Sequence, residues 1–163
     1  MSHRKIVLAV LAAFAGTAPA SAATVTAAAS VNVVKPVLLT KLNDLNFGTV
    51  TFAGGSSGSA TVVISQLGAV TCPTGATCTG TPMAAGFNIQ GTNKMTALIT
   101  VPSTTLSNGS DSMTFTPNAP SSIYLPNSGA PGINFNVGGS ITIGAANAGG
   151  AYTGSIAVTA EYQ

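Results

Sequence analysis

Side chains able to do chemistry are scarce and scattered beyond residue 22. They amount to Asp44, Asp111, Glu161, Lys35, Lys41, Lys94, three tyrosines and the pair Cys72 and Cys78. The only histidine is His3 and the only arginine is Arg4. Acid–base catalysis needs titratable groups whose environments push their pKa values apart. Asp44 is the one acid near a lysine, Lys41, and that spacing suits a solvated strand end. A carboxylate pair for glycoside hydrolysis would have to be drawn from Asp44, Asp111 and Glu161, which sit in unrelated segments. A zinc site wants about four soft ligands, and the chain offers two cysteines with no histidine beside them. The sequence therefore names no catalytic residue, no metal ligand and no cofactor, and enzyme activity is not expected. Nucleic acid is not an expected partner either, because no basic patch exists.

The cysteines carry the one covalent expectation. Cys72 and Cys78 enclose Pro73-Thr74-Gly75-Ala76-Thr77, a turn by composition. In an exported chain such a pair reads as a disulfide, with a metal or redox pair as its rival.

Export is expected from the other end. His3, Arg4 and Lys5 precede an apolar run from Ile6 to Ala18, and Ala20-Ser21-Ala22 fits a signal-peptidase site. Residues 1–22 thus read as a secretory signal, with a retained membrane span as the weaker alternative because the apolar run is shorter than the roughly 20 residues a span needs. No later run of that kind occurs, so no transmembrane segment is expected in the mature chain. Arg4 and Lys5 leave with the signal, so the formal +2 belongs to the precursor. Afterwards Lys35, Lys41 and Lys94 balance Asp44, Asp111 and Glu161. Charged residues make up 5% of the chain, far below the about 25% of ordinary domains. A neutral surface rich in Gly, Thr, Ser and Ala favours self-association.

The elements that would position anything are strands. Tyr152, Gly154, Ile156, Val158, Ala160 and Tyr162 fall on one parity, with small and polar residues on the other. Period two of this kind predicts a one-sided strand over 150–163, opened by the turn at Gly149-Gly150. Val25, Ala27, Ala29, Val31 and Val33 alternate in the same way and predict a second such strand, ended by Lys35-Pro36. Between them the pattern predicts strands from Val37 to about Asn43, over 60–65, and over 86–90 paired with 95–101. A hairpin is expected around Asn108-Gly109, and a short segment at Ile123-Tyr124-Leu125. Ile133, Phe135 and Val137 alternate, Gly138-Gly139 reads as a turn, and Ile141-Thr142-Ile143 follows. Residues 45–50 read as turn-rich and 53–59 as a flexible loop. About nine short strands in one domain make the expected fold all-β, an immunoglobulin-like sandwich.

At this point the residues resemble a known family. Gly150 stands fourteenth from the end and Tyr162 is penultimate, with Ile156, Val158 and Ala160 alternating between them. That is similar to the closing signature of chaperone–usher pilus subunits. Leu45-Asn46-Phe47-Gly48 and the run from Phe135-Asn136-Val137-Gly138-Gly139 to Gly150-Ala151-Tyr152-Thr153-Gly154 resemble a pilin-like secreted family related to spore coat protein U. The local Cys72–Cys78 ring departs from the many pilins whose disulfide joins the first strand to a distant one.

The resemblance implies a pilin-like sandwich lacking one strand, completed by a donor strand from another subunit. Residues 23–35 would be the N-terminal extension and 36–163 the domain. Val25, Ala27, Ala29, Val31 and Val33 would face a neighbour's groove, and Gly150, Ile156, Val158, Ala160 and Tyr162 would face a chaperone or subunit. Implied partners are other pilin-like subunits, a periplasmic chaperone and an outer-membrane usher, with the product ending at the cell surface. The alternative is a self-contained secreted binding module, its first strand paired in its own domain and exposed aromatics such as Tyr124 and Phe115 forming its face.

Overall fold

The alternation in the sequence becomes strand register in the structure, a computed structural model that describes residues 21–52, 59–147 and 149–163. The expected export signal lies outside them except for positions 21 and 22, as does most of the expected 53–59 loop. Among the described residues the chain is all-β, with twelve strands and no helix. In chain order these are β1 (Leu38–Asn43), β2 (Thr49–Phe52), β3 (Ala60–Ile64), β4 (Val70–Thr71), β5 (Ala76–Thr79) and β6 (Ala85–Gln90). Then come β7 (Met95–Thr100), β8 (Thr104–Ser107), β9 (Ser112–Asn118), β10 (Ser122–Leu125), β11 (Ile133–Ile143) and β12 (Thr159–Tyr162).

The chain divides into two units, Met1–Asn32 and Val33–Gln163. Of the first, residues 21–32 are described, and they belong to no strand and are exposed throughout. The strand expected over Val25 to Val33 is therefore not formed within this chain. Five apolar side chains on one face have nothing to lie against, and an isolated strand without a partner has no hydrogen bonds to hold it.

In the second unit, β1, β6 and the first half of β11 lie side by side, all antiparallel. A sheet ordered β10-β7-β12 supplies the opposing layer. Phe87, Ile89, Phe135 and Val137 from one layer meet Ala97, Ile99, Ile123 and Leu125 from the other in a first core. Phe87 and Phe135 are cross-strand neighbours and stack at 5.6 Å. The second half of β11 pairs with β3 and β9, which carry β4 and β8. There Val62, Met113, Phe115 and Ile141 form a second core. A separate ribbon pairs β2 with β5.

Four further expectations change. First, β6 and β7 are not a hairpin. Each pairs with other strands, and the turn between them carries the chain from one layer to the other. The apolar faces of β6 and β7 must oppose each other across the core, which strands within one flat hairpin cannot do. Second, Gly138-Gly139 does not turn the chain but lies inside an eleven-residue β11. A Cβ at Gly138 would strike the Ile64 carbonyl, and one at Gly139 the Phe115 ring. The glycines serve close backbone and ring approach where β11 changes partners. Third, the final strand is Thr159–Tyr162 rather than all of 150–163. The turn-rich 45–50 and the ring 72–78 also give up residues to β2 and β5, which pair with each other.

Candidate functional site

The second core is roofed differently from the first. The pieces lying over it are the β2–β5 ribbon, through Val50 and Cys78, and the closing segment, through Tyr152 and Ile156. Between these two covers runs a cleft of about 980 Å³. Residues 41, 43–50 and 52 line one side, residues 143–145, 147 and 149–156 the other, and Phe87, Leu106, Met113 and Ile141 reach its floor.

Both walls carry strand-like backbone that pairs with no further strand among the described residues. Among the described residues β2 pairs with β5 and with no other strand. Residues 154–158 join no ladder, although Thr153 bridges Ser107 just before them and β12 pairs with β7 just after. Yet the burial of the closing segment still alternates, with Ile156, Val158, Ala160 and Tyr162 half-buried and Ser155, Ala157, Thr159 and Glu161 exposed. This stretch has the facing of a strand without the pairing of one. A row of backbone donors and acceptors beside an apolar floor is the chemistry of an edge waiting for another strand.

Charge plays little part. The charged residues that line the cleft, Lys41 and Asp44, pair with each other at 2.7 Å and are well exposed. Such surface pairs contribute little. The wall is instead fixed by amides and hydroxyls. Asn147 Nδ2 donates to Asp111 Oδ2 at 2.8 Å, and its Oδ1 accepts the Gly144 N–H at 2.6 Å. The Tyr152 hydroxyl donates to Asp111 Oδ2 at 2.9 Å. Burial and the adjacent Asp111 carboxylate raise the Tyr152 pKa above that of an ordinary phenol. Cys72 and Cys78 form the expected disulfide, tying the loop after β4 to β5. No group of three or more His, Cys, Asp or Glu able to hold a metal occurs among the described residues. No helix long and apolar enough to cross a membrane occurs among them.

Residues 37–162 match a family described as a domain of unknown function, DUF4402. The chain belongs to that family. No curated protein and no solved structure matches it. The DUF4402 domain begins just past Pro36, so the alternating segment 23–34 precedes it.

The expected site residues fall into three groups. Val25, Ala27, Ala29, Val31 and Val33 are exposed, Val25 by 91% and Val31 by 86%. Ile156 lines the cleft, whereas Val158, Ala160 and Tyr162 pack against the first core. Gly150 sits at a bend with φ +146°, at the cleft wall. The aromatic face of the alternative reading is not present as expected. Tyr124 is exposed, but Phe115 is fully buried, edge-on to Phe47 at 6.1 Å. The floor residues of the DUF4402 cleft went unseen in the sequence, where Leu106 and Met113 are ordinary hairpin apolar positions. Asp111 and Asn147 carried no signal of their own.

Proposed function

We propose that this protein is a structural subunit of a fibre or coat outside the cytoplasm, in which the segment 24–34 of one copy fills the cleft of the next. The observation that carries the reading is the second core, left open between two unpaired strand edges in a chain that also holds an unpaired one-sided segment. Val25, Ala27, Ala29, Val31 and Val33 give the donor an apolar face, and their small size suits a narrow trough. Burying five such side chains and pairing several backbone groups would contribute on the order of 10 kcal/mol gross. Before assembly the same edges need a temporary partner, a role that fits a periplasmic chaperone, with an outer-membrane usher at the export step. The disulfide and the signal-like leader fit this route.

Deleting residues 23–34 tests it. The deleted protein should remain folded and monomeric, and a synthetic peptide of residues 24–34 should raise its melting temperature in a saturable way. A deletion product that still polymerises would overturn the reading, as would a peptide that binds no better than its scrambled version.

A further inference from the structure

The segment 24–34 is rooted at a defined place. Lys35 N–H donates to Thr92 Oγ1 at 2.7 Å. Thr92 N–H donates to the Tyr162 hydroxyl at 2.6 Å, and that hydroxyl donates to the Lys35 carbonyl at 2.8 Å. The ring of bonds joins the root of the segment, the turn after β6 and the end of β12. A Cβ at Gly91 would collide with the Tyr162 hydroxyl, so glycine there leaves the notch in which the hydroxyl sits. Tyr162 has its apolar ring against the first core, where a phenylalanine would pack as well. The Tyr162 hydroxyl reaches the Lys35 carbonyl, which also accepts a longer bond from Thr92 Oγ1 at 3.4 Å.

The place of the root limits the reach of the segment. The cleft begins at Lys41, six positions along from Lys35, or up to about 20 Å at strand rise. To enter its own cleft the segment must reverse and run back beside β1. With Lys35, Pro36 and Val37 held, a turn of about two residues falls on 33–34. Residue 26 then lies opposite Lys41, and only 24–26 extend into the cleft, carrying Val25 alone of the five apolar side chains. If the clamp opens, the chain is free up to the start of β1 at Leu38. The turn moves to 36–37, residue 32 lies opposite Lys41, and 24–32 enter with four of the five.

We infer that Tyr162 is a positioning residue whose hydroxyl, by holding Lys35, stops the N-terminal segment from filling its own cleft and so reserves that cleft for a second copy. The inference rests on the proposed donor-strand role and concerns only the choice between a chain's own segment and a neighbour's.

The test uses the full mature chain and reads the ratio of detergent-resistant polymer to monomer, with protease protection of residues 24–32 in the monomer. Tyr162→Phe should lower the ratio about fivefold, in line with the loss of the hydrogen bond to the Lys35 carbonyl, and the monomer should become protected. Gly91→Ala should act in the same direction by displacing the hydroxyl. A six-residue Gly/Ser insertion after Val34 leaves clamp and body untouched, restores the missing reach and should also give protected monomer. Unchanged ratios in Tyr162→Phe and in the insertion would overturn the clamp, as would a wild-type monomer already protected over 24–32. The deletion of residues 23–34 separates the two ideas. If it abolishes polymer while Tyr162→Phe changes nothing, only the clamp fails; if the deletion still polymerises, the donor role itself fails.

Discussion

The two cores of this molecule are built from similar residues but closed to different degrees. The first lies between two sheets, and its central side chains Ile89, Ala97, Leu125 and Val137 are at most 1% exposed. The second shares β11 with it and has equally buried anchors in Val62 and Phe115. Its covers, however, are a two-stranded ribbon and a closing segment that pairs with nothing from 154 to 158. Stability depends on apolar area removed from water, whereas association depends on edges and apolar area left available. On the donor-strand proposal, the first task falls to one end of β11 and the second to the other.

The sharpest way to break that contrast is to truncate one side chain in each core. Leu125→Ala removes a side chain that is 1% exposed and leaves a cavity no neighbour can fill, at a cost of about 2–5 kcal/mol. Met113 reaches the cleft floor, so Met113→Ala in the monomer should cost about half as much, because solvent already touches the site. Urea midpoints of the two monomers check this. Equal losses would mean that the second core is as closed as the first.

How far the sequence carried this picture follows from where neighbours intervene. Side-chain parity is local, so the facing of 152–162 was legible, and the burial alternates as expected except at Gly154, which is exposed. Whether a strand has a partner is not local. Residues 25–33 and 154–158 have the alternation of strands, yet neither joins a ladder in this chain. Glycine was ambiguous for the same reason. Gly138 and Gly139 look like a turn in one dimension, and only the approach of Ile64 and Phe115 shows that they are there to admit neighbours. The 91–94 turn was legible as a turn, but its crossing between layers depends on Phe87 and Ile99 sharing a core. The cleft is the least local feature of all, since its walls lie roughly a hundred positions apart in the chain.

A smaller effect sharpens the comparison at the ribbon. Strands β2 and β5 are held to the rest by the Asn46–Met83 bridge and by the Cys72–Cys78 bond. On the loop-entropy account so short a ring contributes about 2–2.5 kcal/mol. The loss on Cys72→Ser with Cys78→Ser should fall on the ribbon. Amide exchange at Val50 and Thr51 should accelerate markedly, while Ile89 and Val137 stay protected to near the global limit. Uniform acceleration would show that ribbon and first core unfold as one unit.

The smallest expected effect concerns pH at the other wall. Tyr152 has its pKa raised by burial and by the Asp111 carboxylate that accepts its hydroxyl. The folded protein therefore favours the neutral phenol more than the unfolded chain does. Its stabilising contribution is fully present below the unfolded phenol value near 10 and is lost as pH rises through the higher native value. In that alkaline window the unfolded chain gives up the proton first, so stability must fall with pH and not rise. The wall begins at Tyr152, so the closing segment should loosen there before the first core responds. Tyr152→Phe should flatten the alkaline slope of the melting temperature and, by losing the bond to Asp111, slightly lower the value at neutral pH. An unaltered slope in that variant would move the alkaline sensitivity to another group and detach the Asp111–Tyr152 bond from the integrity of the cleft.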